Sequence, residues 1–135
     1  MLNGAAVKYA HDYVPIVGKF FPIIPLFVAR ADRVVPIYAL IDSGAIVSLF
    51  NSGIGRALGI EIEKGEPFRP TGIGGQILTY MHEVVLKIGD VELKTKVAFT
   101  DQLALNINLL GREGFFDNFS VLFNDKERKV TIEKI

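Results

Sequence analysis

The stretch YALIDSGAIVSLF, residues 38–50, is an apolar run broken by one carboxylate, Asp42, with Ser43 and Gly44 directly after it. A carboxylate set among apolar neighbours is costly unless it is paired, hydrogen-bonded or protonated. Its position therefore points to a purpose, and the surrounding sequence limits what that purpose can be.

Of the 135 residues, 50% are hydrophobic, enough for one compact domain with a substantial core and too short a chain for two. Fifteen basic residues balance fifteen acidic ones, so no global field attracts a polyanion, and neither nucleic acid nor a membrane is expected as a partner. The absence of cysteine removes disulfides, thiol nucleophiles and thiolate metal sites together. The most membrane-like segment, VPIVGKFFPIIPLFVAR, contains Lys19, Pro15, Pro22 and Pro25 and lacks the unbroken apolar length of roughly 20 residues that a spanning helix needs. The first residues show no ordered signal-peptide pattern. The expectation is a soluble, cytoplasmic protein.

Residues 1–19 are mixed in character and are expected to form an N-terminal arm, loose or as an edge element, ahead of a domain spanning 20–135. FPIIPLFVAR and VVPIYALID read as strands rich in Val, Ile and Phe. After the Asp-Ser-Gly, a short helix is possible around Ile54 to Leu58, stopped by Gly59. The clearest local signal is a hairpin. Tyr80, His82, Val84, Leu86 and Ile88 share one face of its first arm, and Val91, Leu93, Thr95, Val97 and Phe99 share a face of its second, about a Gly89-Asp90 turn. A second hairpin runs from FSVLF through NDKER to KVTIEKI, and GREGFFDNF can make one or two helical turns after Gly111. The chain reads as all-β with one or two short helices.

Most chemistries fail on inventory. His11 and His82 lie far apart without metal-ligand spacing, so no metal and no cofactor are expected, and His82 reads as a side chain along a sheet face. Ser43 lacks a nucleophile elbow, and Asp42, its neighbour in an extended chain, points to the opposite face. The glycines of TGIGGQI, residues 71–77, fail the dinucleotide pattern because its third glycine would fall on Ile77 and a hairpin follows. They read as a glycine-rich turn or as a loop able to bring its backbone close to a ligand.

Asp42 remains. A lone carboxylate of pKa about 3.9 is a feeble base. Two carboxylates about 3 Å apart cannot both ionise, so they share a proton and hold a base and an acid at once. Asp12, Asp32, Asp90, Asp101, Asp117 and Asp125 all lack a following Ser-Gly or Thr-Gly. The second carboxylate must then come from another chain, and a two-fold homodimer brings any residue near its axis against its own copy.

The sequence here resembles the retropepsin-like aspartic peptidases, single-domain homodimeric relatives of the pepsins, over roughly residues 20–123. ALIDSGA, residues 39–45, looks like the catalytic strand and turn, with serine for the commoner threonine. TGIGGQI resembles the glycine-rich flap, and INLLGREGF, residues 107–115, is similar to the apolar-apolar-glycine block before the family's C-terminal helix. The resemblance implies a closed acid-protease-type β-barrel of a single lobe with a flap hairpin. It implies Asp42 as the catalytic aspartate, with Ser43 and Gly44 supporting the active-site turn. Gly72, Ile73, Gly74 and Gly75 would form the flap, and Ala45, Ile107 and Leu109 would line apolar subsites for a peptide or protein substrate.

The sequence departs from the viral pattern in two places. Ile46 and Val47 stand where viral enzymes carry acidic residues that pair with the arginine corresponding to Arg112, and the C-terminal hairpin, residues 119–134, extends past the short viral ending. Three readings stay open: a homodimeric endopeptidase, a dimerisation or peptide-binding module of the same fold with little turnover, and a processing domain of a longer polyprotein.

Overall fold

The computed structural model describes residues 7–72 and 75–135. The chain begins with β1 (Lys8–Asp12), followed by a small hairpin of β2 (Val14–Ile16) and β3 (Lys19–Phe21). The barrel is built from β4 (Ile23–Arg30), β5 (Arg33–Ile41) and β6 (Leu49–Asn51), and from strands that return to them after the helix α1 (Ser52–Ala57). Further along come the short strands β7 (Glu66–Phe68), β8 (Thr71–Gly72) and β9 (Gly75–Gln76), then the long hairpin of β10 (Thr79–Ile88) and β11 (Val91–Thr100). The chain ends with β12 (Asn108–Leu110), β13 (Phe119–Asn124) and β14 (Lys129–Lys134).

The main sheet runs β11-β6-β12-β5-β4-β10-β7, and β10 also pairs with β11, which closes the first six strands into a barrel. Closure leaves these strands no free edge within the ring. Its unusual element is β12, which lies parallel to β5 with Leu110 opposite Ile41 and touches β6 through Leu109 and Leu49. That insertion brings residues 107–113 alongside the segment that follows Asp42.

Alternation decides what faces the core. In β5, Ile37, Ala39 and Ile41 are buried while Tyr38 is exposed, and in β4 Ile24, Leu26 and Val28 are buried. The β10–β11 hairpin matches the expected register, from Tyr80 opposite Phe99 to Ile88 opposite Val91, with Gly89 at positive φ in the turn. Its inward face supplies Val84, Leu86, Ile88, Leu93, Val97 and Phe99 to the core. Each fully buried side chain of this size contributes about 1.5–3 kcal/mol. His82 lies along that same face, half-buried, with Nε2 2.8 Å from the Ile62 carbonyl oxygen.

The second hairpin also forms, with β13 opposite β14. Residues 8–12, inside the stretch expected as an arm, form an edge strand on β14. The Tyr9 hydroxyl accepts the Asp90 N–H at 2.7 Å, and the Tyr13 hydroxyl donates to Asp125 at 2.7 Å, so this small sheet is fastened to the barrel hairpin and to its own turn. Residues 111–118 make successive turns and no helix. Phe116 and Asp117 donate to carbonyls five residues back, and the positive φ of Gly114 interrupts regular winding. The driving feature is aromatic: Phe115 stacks on Phe119 with ring centroids 5.2 Å apart, anchoring the segment under the barrel. Among the described residues no helix is long and apolar enough to cross a membrane.

Candidate active site

Asp42 follows directly on the last inward residue of β5, and it is half-buried rather than enclosed. Its backbone N–H donates to the Leu110 carbonyl at 3.0 Å, and its own carbonyl accepts the Ala45 N–H at 3.2 Å. The carboxylate is fixed from below: Oδ1 accepts the Gly44 N–H at 2.8 Å. A Cβ on Gly44 would lie 3.1 Å from that oxygen, so a glycine leaves the contact unobstructed. Ser43 and Gly44 are both exposed. One carboxylate oxygen is therefore oriented by the backbone, and among the described residues the other takes no hydrogen bond.

The segment after Asp42 is clamped by the segment after β12. Arg112 N–H donates to the Ala45 carbonyl and Glu113 N–H to the Ile46 carbonyl, both at 2.8 Å. Gly111 lies against the Val47 carbonyl with no room for a side chain. Its N–H donates to the hydroxyl of Ser48, a fully buried side chain, at 3.0 Å. Ser48 was visible in the sequence only as a hydroxyl inside an apolar run. Asn108 is a second such brace, its amide donating to the Tyr38 carbonyl at 3.0 Å and its Oδ1 accepting the Asn51 N–H at 2.9 Å. Asn51 in turn caps α1 through Gly53.

The predicted subsite residues separate. Ala45 is buried, at 9% exposure, with its N–H and its carbonyl both engaged, by Asp42 and Arg112. Leu109 is half-buried and packs on a small apolar cluster of Val47, Leu49 and Ala98, which Phe68, Ile77 and Met81 also join. Ile107 lines a different depression of about 430 Å³ with Val14, Ile16, Ile23 and Tyr38.

That cluster links the Asp42 loop to a hairpin. Phe68 pairs with Thr79 and Glu66 with Met81, and the same register continues through Thr71 opposite Gln76 and Gly72 opposite Gly75. The Thr79 hydroxyl donates to the Phe68 carbonyl at 2.7 Å, and the Gln76 amide reaches the Thr71 hydroxyl at 3.3 Å. Gly75 has φ +100°, a conformation that favours glycine. Ile73 and Gly74, expected at the tip, lie outside the described residues. Phe68 and Met81 at the base of this hairpin thus share a floor with Val47, five residues beyond the candidate catalytic carboxylate.

Arg112 is exposed beside Ile46, Glu113, Phe116 and Asp117, and it makes no ion pair among the described residues. With Ile46 and Val47 in the positions of the viral acids, the partner that the viral pattern supplies is missing.

No protein-family model matches the sequence, and no curated protein matches it. Solved structures do. A retropepsin-like aspartic protease from Rickettsia conorii superposes with a TM-score of 0.69 at 19% identity, covering 99% of this chain and 98% of that one. EIAV protease, in complex with the inhibitor HBY-793, gives a TM-score of 0.53 at 22% identity over 74% of this chain and 89% of its own. Identity this low carries the fold alone, and over nearly the whole of its length the chain has the retropepsin-like fold.

Proposed function

We propose that this chain is an aspartic endopeptidase that works as a homodimer, with the two Asp42 carboxylates meeting at the two-fold axis. The observation that carries the proposal is the setting of Asp42: a half-exposed carboxylate, one oxygen held by the Gly44 N–H, on a turn braced by Gly111 and Ser48 at the end of a barrel strand. Such bracing fixes direction while leaving the group accessible, which is what a proton-transfer residue needs.

In the proposed reaction the ionised member of the pair takes a proton from a water molecule as its oxygen attacks the peptide carbonyl carbon. The protonated member gives its proton to the carbonyl oxygen, forming a tetrahedral diol. Collapse breaks the C–N bond, returns a proton from the diol to the carboxylates and delivers one to the leaving amine. The hairpin of residues 66–81 would act as the flap, with Gly72, Gly75 and the tip between them closing over the substrate, and Leu109 with Val47 and Leu49 would form an apolar wall.

The test is hydrolysis of a diverse peptide library across about pH 3 to about pH 7, comparing the native chain with Asp42→Asn. Cleavage by the native chain that the variant lacks supports the proposal. Binding without cleavage by the native chain would favour a peptide-binding or dimerisation module of the same fold.

A further inference from the structure

Between the base of the hairpin 66–81 and the loop after Asp42 lies an open depression of about 320 Å³, lined by Ile46, Val47, Glu66, Pro67, Phe68, Met81 and Glu113. Its floor is apolar: Val47 is 5% exposed, and Phe68 and Met81 are half-buried in the cluster below it. Its rim carries two exposed carboxylates, each set by a backbone pairing. Glu66 stands opposite Met81 in the antiparallel hairpin, and Glu113 stands beside Val47 in a parallel bridge. Side chains at paired positions project from the same face of a sheet, so each carboxylate rises next to a floor residue. Neither Glu66 nor Glu113 makes an ion pair among the described residues. Arg112 precedes Glu113 and lines a neighbouring depression with Phe116 and Asp117, which Ile46 and Glu113 also border, but it forms no ion pair with Glu113.

We propose that this depression is a specificity subsite for a basic side chain of the substrate, lysine or arginine, with Glu66 and Glu113 as the residues that select it. The inference rests on the peptidase reading, in which a peptide lies between the hairpin and the Asp42 loop. A long basic side chain fits both parts of the site, its methylene stem along Val47, Phe68 and Met81 and its cationic head between the two carboxylates. An acidic side chain would meet two like charges, and an aliphatic one would use the floor and leave the rim unanswered. The hairpin side of the site brings Glu66 and the loop side brings Glu113, so closing of the hairpin on a substrate would tighten both contacts together.

Exposed ion pairs are individually weak, so the expected discrimination is modest, roughly three- to tenfold in kcat/KM for Lys over Met at one position of the peptide. The experiment uses fluorescent peptides identical except for Lys, Arg, Met, Gln or Glu placed in turn at each position flanking the scissile bond. They are assayed with the native chain, Glu66→Gln, Glu113→Gln and the double variant. The readout is the Lys-to-Met ratio, which should fall to near one in the double variant and partway in each single one, and should shrink as salt is added. An active enzyme with no basic preference at any position, or a preference that survives both substitutions, overturns the proposal. Should no peptide be cleaved, the catalytic reading fails by itself, and anisotropy titration of the same peptides decides the subsite. Tighter binding of the Lys peptide, lost in the double variant, upholds the subsite, and equal or absent binding overturns it.

Discussion

Gly111 is pressed so closely against Val47 that a methyl group at position 111 would stand on the Val47 carbonyl and 2.8 Å from the carbonyl oxygen of Ala45. The Asp42 loop and the segment after β12 can approach this far only because position 111 has no side chain. Gly111→Ala must push the two segments apart, and overpacking of this kind typically costs about 1–3 kcal/mol. The expected outcome is a lower denaturation midpoint together with a loss of peptide hydrolysis larger than the loss of folded protein. A variant as stable and as active as the native chain would show that the clamp is unnecessary.

Ser48 supports the same clamp from inside. Its buried hydroxyl accepts the Gly111 N–H, so Ser48→Ala leaves a buried donor without a partner, at a cost of about 1–3 kcal/mol. Ser48→Thr keeps the acceptor but adds a methyl group to a fully buried site. Urea denaturation of both variants is the check, and a neutral Ser48→Ala would mean that water or a shifted backbone satisfies Gly111.

Tyr13 gives the fold a pH signature at the alkaline end. Burial, and then the hydrogen bond and negative charge of Asp125, push its phenol up from 10.0 to about 12. The unfolded chain therefore releases this proton at lower pH than the folded chain. The stability contributed by this group is complete below about pH 10 and is lost as pH rises towards about 12. Tyr13→Phe should cost about 1 kcal/mol at neutral pH through the lost hydrogen bond and should flatten the decline across that alkaline window. Identical alkaline slopes in the two proteins would remove Tyr13 as the cause.

What could be read in the sequence was local in cause. Period-two alternation about Gly89 set the β10–β11 register because one face of each arm had to be buried, and Gly59, at φ +79°, marked the end of α1 for steric reasons. Asp42, Ser43 and Gly44 stood out because a charge interrupts an apolar run. The parts that escaped depend on distant pairings. Nothing local in Asn108 or Ser48 says that each will brace a segment some sixty residues away in the chain. Ile107 and Leu109 share a periodicity, yet Ile107 lines a depression with Val14 and Ile16 while Leu109 packs on the cluster of Val47, Leu49 and Ala98, because only Leu109 lies between β5 and β6. The helical turns expected after Gly111 give way to irregular turns because Gly114 takes a positive φ, and Phe116 and Asp117 bond five residues back.

If the hairpin 66–81 closes over a peptide, its upper arms should become protected when one binds. Glycine-rich loops rearrange at low cost, and closure excludes water from the reacting centre. Amide exchange at Gly72, Gly75 and Gln76 is expected to slow at saturating concentrations of a substrate-like inhibitor, with Thr79 to Met81 little changed because they already pair with β7. Unchanged exchange at the three upper positions would argue for a rigid turn and against a lid.

Asp42→Asn separates chemistry from assembly. An amide cannot take the proton of an attacking water, so hydrolysis should fall to background while the fold persists, the Gly44 N–H still finding an oxygen acceptor at Oδ1. If two Asp42 side chains meet at the axis, any pH that ionises both adds repulsion there, and the amide removes it. The native dimer should then dissociate more readily as pH rises, while the variant shows less of this dependence. Activity of the native chain should also rise faster than in proportion to concentration around the dimer dissociation constant, since one chain supplies one carboxylate. The measurement is that constant for both proteins by analytical ultracentrifugation between about pH 4 and about pH 8, beside cleavage of the best library peptide. Native-rate cleavage by the variant would show that Asp42 is no catalyst, and coincident pH dependences of dissociation would show that the two carboxylates do not meet.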